Sequence, residues 1–498
     1  MRYLVNSREM KRYDNNTIEY FGVPSAALME RAALAVAEEI KKRFPADCGK
    51  ILVLCGMGNN GGDGFAAARM LHLAGYNVEI LFPMQEKKMT EEAKRQYETA
   101  KKYQTPEVLE LSSEYSVIVD ALFGIGLSRA VEGESARLIE EINKTEAFKI
   151  AVDIASGISA DTGQILGTAF RADLTVTFGF AKTGQLLYPG AEYTGELVVA
   201  DIGIDKNSFL GEKPSGRYLK KDCVKNLLPV RKSYSNKGTY GKALVIAGSA
   251  RMAGAAWFAA KAAYYAGCGL VRIYTVKDNR NILLTKLPEA VLTTYEERET
   301  DFSSLDECLN WADAVLAGPG LSEGAAAHTL VSKTLLCADK KTVFDADALN
   351  ILAKDMSVLK RTKGERVFTP HLGEMSRMSG KSIKEIQSDI LSAAGKFAEE
   401  YRAVCVLKDA RTVTYLPDGK FFLNLTGNHG MATGGSGDVL AGFLTGFLAQ
   451  GLTSGQAAPL AVFLHGLAGD LAAKEKGAYG MLASDVLEML PKAMEMGA

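Results

Sequence analysis

Short apolar runs alternate along the chain with Gly- or Asp-bearing loops and amphipathic stretches. In the first half, Ile51–Cys55 reads as a buried strand, Gly56–Gly64 as a loop, and Phe65–Ala74 as a helix stopped by Gly75. Asn77–Phe82 predicts a second strand and Val117–Val119 a third, ending at Asp120. Ile150–Val152 predicts a fourth, ending at Asp153, and Leu174–Phe178 a fifth. Strands separated by helices build a parallel sheet covered on both faces. Ligands of such sheets gather beyond the carboxyl ends of the strands. The Gly56–Gly64 loop, Asp120 and Asp153 all fall at such ends.

Around residues 205–222 the pattern lapses into Asp205-Lys206-Asn207-Ser208 and Gly211-Glu212-Lys213-Pro214-Ser215-Gly216, the composition of a linker. It then restarts. Ala243–Ala247, Leu270–Thr275, Ala314–Ala317, Thr342–Phe344, Val367–Thr369 and Val404–Lys408 predict strands, and Leu416-Pro417-Asp418-Gly419 a hairpin turn. With 498 residues the chain exceeds one hydrophobic core. The expectation is two α/β domains, residues 1–212 and residues 217–498. Residues 439–469 hold no Asp, Glu, Lys or Arg, but Gln450-Gly451, Thr453–Gln456 and Pro459 cut the run below the roughly 20 apolar residues of a membrane span. Two buried helices joined by a turn fit better.

Charge and cysteine usage narrow the function classes. Lys plus Arg number 58 and Asp plus Glu 59, so no global basic field exists to attract nucleic acid or an acidic membrane. Any anionic ligand must be held locally. Seven scattered cysteines without a Cys-x-x-Cys pair, and an N-terminus lacking an apolar signal core, suggest a soluble cytoplasmic protein with reduced thiols. Five histidines without metal-ligand spacing argue against zinc.

Three first-half segments carry candidate chemistry. The glycines of Asn59-Asn60-Gly61-Gly62-Asp63-Gly64 would let the backbone take positive φ and approach a ligand, with the following helix start offering free amides to phosphate. Gly124-Ile125-Gly126-Leu127-Ser128-Arg129 adds a guanidinium suited to phosphate. Either loop alone reads equally well as a structural turn. In Asp153-Ile154-Ala155-Ser156-Gly157, Ser156 joins Asn60 and Asp120 as a set of hard oxygen donors fit for an alkali or alkaline-earth cation. Asp153 could instead cap the next segment.

In the second half, Asn424-Leu425-Thr426-Gly427-Asn428 runs on to Gly434-Gly435-Ser436-Gly437-Asp438 ahead of a helix over Val439–Leu448. Such a segment makes an anion hole, and Asp438 could be a helix cap or the base beside a transferring phosphoryl group. No Gly-Lys-Ser/Thr follows, so this is not a P-loop. His371 could be a strand-end histidine bonded to backbone, Lys408 a surface cation, and Asp345 and Asp347 turn formers. His465 and Asp470, on an apolar helix, read as satisfied polar residues.

Together these motifs resemble known families. Asn59–Gly64, Asp120-Ala121-Leu122-Phe123-Gly124-Ile125-Gly126 and Val152–Gly157 make most of residues 1–210 similar to the NAD(P)H-hydrate epimerase domain, with a Rossmann-like three-layer sandwich. Residues 220–495 resemble the ADP/ATP-dependent NAD(P)H-hydrate dehydratase, a ribokinase-like α/β fold. The motifs are Ser235–Gly241, Gly318-Pro319-Gly320-Leu321, Asp345–Leu349, Thr369–Glu374, Val406-Leu407-Lys408 and Gly435–Asp438. The resemblance implies that Asn59, Asn60, Gly61, Gly62, Asp63, Asp153 and the loop Gly124–Ala130 (Ile125, Gly126, Leu127, Ser128 and Arg129 between) hold hydrated NADH or NADPH. Asn60, Asp120 and Ser156 would bind K+, and Asp153 would act in catalysis. In the dehydratase, Ala253, Gly254, Gly320 and His371 would contact the hydrated cofactor. Lys408, Asp409, Ala410, Arg411, Thr412 and Gly437 would hold ADP or ATP with Mg2+, and Asp438 would be the base. Asn236, Leu372 and Asp409 depart from the family's commoner His, Pro and small neutral residue, and none removes a required group. A homo-oligomer is expected, with Tyr- and Asn-rich residues 1–30 as a candidate subunit surface. The rival reading is a small-molecule kinase fused to a non-catalytic binding module, since the first fold also occurs in an mRNA-decapping scaffold and a lipoprotein-binding protein.

Overall fold

The computed structural model describes residues 1–84, 88–111, 114–298, 301–337 and 339–497. Its chain forms two compact units, Tyr3–Gly216 and, with Met1–Arg2, the residues from Arg217 onward.

The first unit is built on β1 (Lys50–Cys55), β2 (Asn77–Leu81), β3 (Glu107–Val108), β4 (Val117–Ala121), β5 (Phe148–Val152), β6 (Leu174–Phe178) and β7 (Glu196–Ala200). They lie in the order β3-β2-β1-β4-β5-β6-β7, every neighbouring pair parallel. The alternation of side chains makes three layers. Ile51 and Val53 pack with Val36, Ile40 and Phe65 on one face, and Leu52 and Leu54 with Leu138, Ile139 and Ile142 on the other. The order reverses between β1 and β4, and a crevice opens there at the strands' carboxyl ends. The pattern reading missed β3 and β7, a two-residue strand and a partly exposed strand at the sheet's two edges.

The second unit repeats the plan with β8 (Lys242–Ile246), β9 (Leu270–Val276), β10 (Val291–Tyr295), β11 (Ala314–Ala317), β12 (Lys341–Phe344), β13 (Arg366–Phe368), β14 (Val404–Leu407), β15 (Val413–Tyr415) and β16 (Phe421–Leu423). Their order is β10-β9-β8-β11-β12-β13-β14-β15-β16, parallel as far as β14 and then antiparallel. The hairpin turn at Leu416–Gly419 is present, with Gly419 at φ +83° and the Leu416 amide donating to Lys420 O at 2.8 Å. The charge-free stretch is two helices, Ser436–Ala449 and Ser454–Lys476, buried because they are core. Gly442 lets the first lie against helix Ala253–Tyr265, where a Cβ would come within 2.0 Å of Ala259 O. No helix among the described residues is long and apolar enough to cross a membrane.

Residues 205–222 are not the bare linker their composition implied. They carry a 3-10 turn, Lys206–Phe209, and a short helix, Lys221–Val224. Phe209 holds this segment down, its ring centroid 4.7 Å from Tyr13, 5.0 Å from Tyr3 and 5.2 Å from Phe180. One aromatic anchor outweighs a polar surrounding.

Candidate functional sites

At the first crevice the helix begins at Asn59, not Phe65, and runs to Leu73 with Gly58 as its cap. Gly61, Gly62 and Gly64 are therefore helical, and none has the positive φ expected of them. Their smallness serves packing. A Cβ on Gly61 would lie 1.9 Å from Gly56 O, on Gly62 2.8 Å from Met29 Cε, and on Gly64 2.6 Å from Ala121 Cβ. The glycines thus draw the helix onto β1 and the strand-end loops, and its first-turn amides, which lack intrahelical partners, open beside the crevice.

A cavity of about 1120 Å³ fills that crevice. Asn59, Asn60, Asp63, Asp153 and Gly124–Arg129 line it, while Gly61, Gly62 and Ala130 do not. Asp120 is fully buried: its Oδ2 accepts from Ser156 N at 2.7 Å and its Oδ1 from Ser156 Oγ at 2.7 Å and Leu122 N at 3.1 Å. Burial pushes its carboxyl up to about 6, against those three bonds. Asn60 abuts the neighbouring loop, where a Cβ on Gly124 would lie 3.2 Å from its own Cβ. Its buried amide oxygen and nitrogen both lack a hydrogen-bond partner among the described residues. Such orphaned groups mark a place for something not made of protein.

Asp153 caps no helix. It sits at φ +62°, and its Oδ1 accepts from Lys182 Nζ, from Thr177 Oγ1 at 3.0 Å and from Phe178 N at 3.4 Å. Lys182 was not anticipated. It follows β6 in the short strand Ala181–Lys182, its side chain is 1% exposed, and Nζ also donates to Thr177 Oγ1 at 2.8 Å and Phe178 O at 3.1 Å. A lone lysine after Phe178-Gly179-Phe180-Ala181 carries no motif, and only its place just past a buried strand could have drawn notice.

The second site gathers at the ends of β12, β13 and β14 and the start of helix Ser436–Ala449. Asp345, 1% exposed, accepts from Lys408 Nζ and Thr369 Oγ1, each at 2.7 Å. Lys408 is thus a half-buried ion-pair partner and no free surface cation. A Cβ on Gly437 would lie 3.3 Å from Lys408 Nζ. Gly435 leads into the helix at φ +94°, Ser436 N donates back to Thr433 O at 3.4 Å, and the amides of the first turn have no intrahelical partner. Asp438 falls in the first turn with no side-chain capping bond, so a capping role does not account for it. Burial first, then the charges of Asp345, Asp347 and Glu374, push Asp438 up to about 7, with Lys408 opposing. Asp347 accepts from Ser322 N at 2.7 Å, in the loop that follows Gly320. Gly320, at φ +61°, abuts the Ala253 helix start, where a Cβ would lie 2.9 Å from Met252 Cβ.

His371 does what its plainer reading said, accepting at Nδ1 from Gly373 N (3.0 Å) and Glu374 N (3.3 Å) as a helix cap. Its exposed ring and its bridge to Lys408 still place it in the cluster. Asp409 and Ala410 are exposed and Arg411 and Thr412 half-buried beyond Lys408. Asp470 is satisfied by Gly427 N at 3.0 Å and Asn428 Nδ2 at 3.1 Å. His465 is not fully satisfied: burial pushes it down to about 4 and its Nε2 has no partner among the described residues.

Comparison with known proteins agrees in both halves. A family model described as NAD(P)H-hydrate dehydratase matches residues 243–492, and one described as YjeF-related protein N-terminus matches residues 25–184. The bifunctional NAD(P)H-hydrate repair enzyme Nnr of Moorella thermoacetica is 40% identical over 98% of this chain and 96% of its own length. That of Escherichia coli is 36% identical over 97% and 92%. Among solved structures, a ribokinase-like superfamily protein from Enterococcus faecalis aligns with a TM-score of 0.52 and 31% identity, over 57% of this chain and 97% of its own. The ADP/ATP-dependent NAD(P)H-hydrate dehydratase from Bacillus subtilis, co-crystallised with ATP/Mg2+, aligns at 0.50 and 32%, over 56% and 98%. With a doubly wound sheet and its crevice in one unit, and a ribokinase-like fold in the other, the chain belongs to the family of bifunctional NAD(P)H-hydrate repair enzymes.

Proposed function

We propose that residues 1–212 interconvert the R and S epimers of hydrated NADH and NADPH, and that residues 217–498 dehydrate the S form at the expense of ADP or ATP. The observation carrying this reading is Asp438, a half-buried carboxyl beside the amides that open helix Ser436–Ala449. Hydroxide leaves carbon badly and phosphate leaves well. Asp438 takes the proton of the ring hydroxyl, whose oxygen attacks the terminal phosphorus of the nucleotide. The Gly435–Gly437 amides stabilise the transferring phosphoryl group. Phosphate then departs as the ring nitrogen donates its electron pair, a proton leaves the adjacent ring carbon, and the reduced nicotinamide is restored. The products are AMP or ADP, phosphate and NAD(P)H.

Magnesium would enter with the nucleotide, the Bacillus subtilis dehydratase having been co-crystallised with ATP/Mg2+, and would neutralise nucleotide charge. K+ fits the first unit: the orphaned Asn60 amide oxygen, Asp120 and Ser156 are hard donors and would hold it, supplying fixed positive charge near the substrate. The seven free cysteines suit the reducing cytosol. Exposed Tyr20 and Phe21 suit a contact between subunits of a homo-oligomer.

Incubating the chain with hydrated NADH and ADP or ATP tests the reading. The expected outcome is NADH and phosphate in equal amounts, whereas a stable phosphorylated product would favour the kinase rival. The base must be unprotonated, so the rate of dehydration should climb through about pH 7. One pH unit below that it should be about a tenth of the plateau. A rate already at its plateau at an ordinary carboxylate's pH would contradict Asp438 as the base.

A further inference from the structure

We propose that Asp63 is a second catalytic carboxyl of the epimerase site, giving a proton to the departing hydroxyl while Asp153 accepts one from the returning water. This rests on the epimerase reading of the first unit and assigns the proton chemistry within it.

Asp63 lies one turn into helix Asn59–Leu73 and lines the same cavity as Asp153, Lys182 and Asp14, four charged groups from four segments of the chain. Arg8, Lys11, Arg129 and Asp161 also line the cavity, and of its cations Lys182 is the one ion-paired with Asp153. Lys182 Nζ is committed to Asp153 Oδ1, Thr177 Oγ1 and Phe178 O. It therefore serves Asp153, whose side chain accepts from Lys182, Thr177 and Phe178 at Oδ1. Asp63 shares the cavity without an ion-pair partner among the described residues. Burial, then the charges of Asp153 and Asp14, push its carboxyl well above the ordinary range, with Lys182 pulling the other way. Two carboxyls in one pocket, one ion-paired and one whose burial favours the protonated form, are how a single site comes to contain both an acid and a base.

The chemistry requires both. As the bond from ring carbon to oxygen breaks, the ring nitrogen's electron pair forms a carbon–nitrogen double bond and the oxygen takes the Asp63 proton, leaving as water. Water then adds to the opposite face, the double-bond pair returns to nitrogen, and the proton that water sheds goes to Asp153. One proton is given and one taken. The reverse epimerisation uses the same groups in exchanged roles.

The test compares the full chain with Asp63→Asn, following interconversion of resolved epimers of hydrated NADH above the uncatalysed rate. The variant should lose about 10²-fold or more in kcat with KM changed by less than about threefold. The parent's rate should fall on the alkaline side as Asp63 ionises, and the variant's residual rate should not. Acetic acid added to Asp63→Ala should restore part of the activity, which a purely structural role would not allow. An Asp63→Asn chain at the parent rate overturns the proposal, as does a slow variant that keeps the alkaline fall and resists rescue. A parent chain that does not interconvert the epimers overturns the epimerase reading, and the proposal with it.

Discussion

Replacing Asp438 by Asn should lower nucleotide-driven recovery of NADH by about 10²- to 10⁴-fold, the contribution of a positioned general base. Interconversion of the epimers should continue at the parent rate. The substitution keeps the side chain's shape in the first turn of helix Ser436–Ala449, and no capping bond is lost because none is made. It also removes one negative charge from a cluster in which Asp345, Asp347 and Glu374 act on Asp438, and Lys408 pairs with Asp345. The fold should hold, with a melting temperature no lower than the parent's, and the loss should fall on kcat more than on KM. Steady-state kinetics with each nucleotide, beside a melting curve, separate these effects.

Asp153→Asn should remove epimerisation by a comparable factor, with a different consequence for stability. Asn tolerates the positive φ of this position and keeps an oxygen for Thr177, so the backbone is not the problem. Lys182 is. Its 1%-exposed ammonium loses its carboxylate, and breaking such a buried pair costs about 3–5 kcal/mol. Adding Lys182→Met should return much of that stability without returning activity. From a mixture of epimers, the Asp153→Asn chain should recover NADH only up to the share supplied in the S form, beyond what spontaneous interconversion adds. Following reduced-nicotinamide absorbance to completion shows the plateau, and denaturant unfolding of the single and double variants gives the energies.

Where the sequence was legible, local pattern and tertiary need agree. The buried strand β1 reads as a near-continuous apolar run, and β4 is apolar up to Asp120, because helices cover both faces of their sheet. The helix Ser436–Ala449 was readable for a similar reason, a Gly-rich entry followed by residues buried all round. The glycines ahead of Phe65 misled because glycine has two uses. Freedom in φ and absence of a Cβ leave the same letter in the sequence, and here the second use operates, with Gly56 O and Ala121 standing where side chains would be.

The site's charged surroundings were least readable. Asp14 comes from helix Ser7–Asn15 and Lys182 from a two-residue strand, and the fold alone brings them beside Asp63 and Asp153. Glu374 illustrates the same limit in the second unit. It stands in a motif without a role of its own, yet burial pushes it up to about 7, and its Oε2 accepts from the His371 amide at 2.8 Å. Environment, not residue type, sets which of these carboxyls hold protons.

The fate of one oxygen atom tests the phosphoryl-transfer account most directly. The S form of hydrated NADH carrying heavy oxygen in its ring hydroxyl is turned over with ADP or ATP by the Asp153→Asn chain, whose first unit should no longer exchange that oxygen with solvent. The products are weighed by mass spectrometry. If the hydroxyl receives the phosphoryl group and then leaves with it, the label must emerge in inorganic phosphate. Label recovered in water, with unlabelled phosphate, would mean that the nucleotide is hydrolysed apart from the ring and would contradict the mechanism.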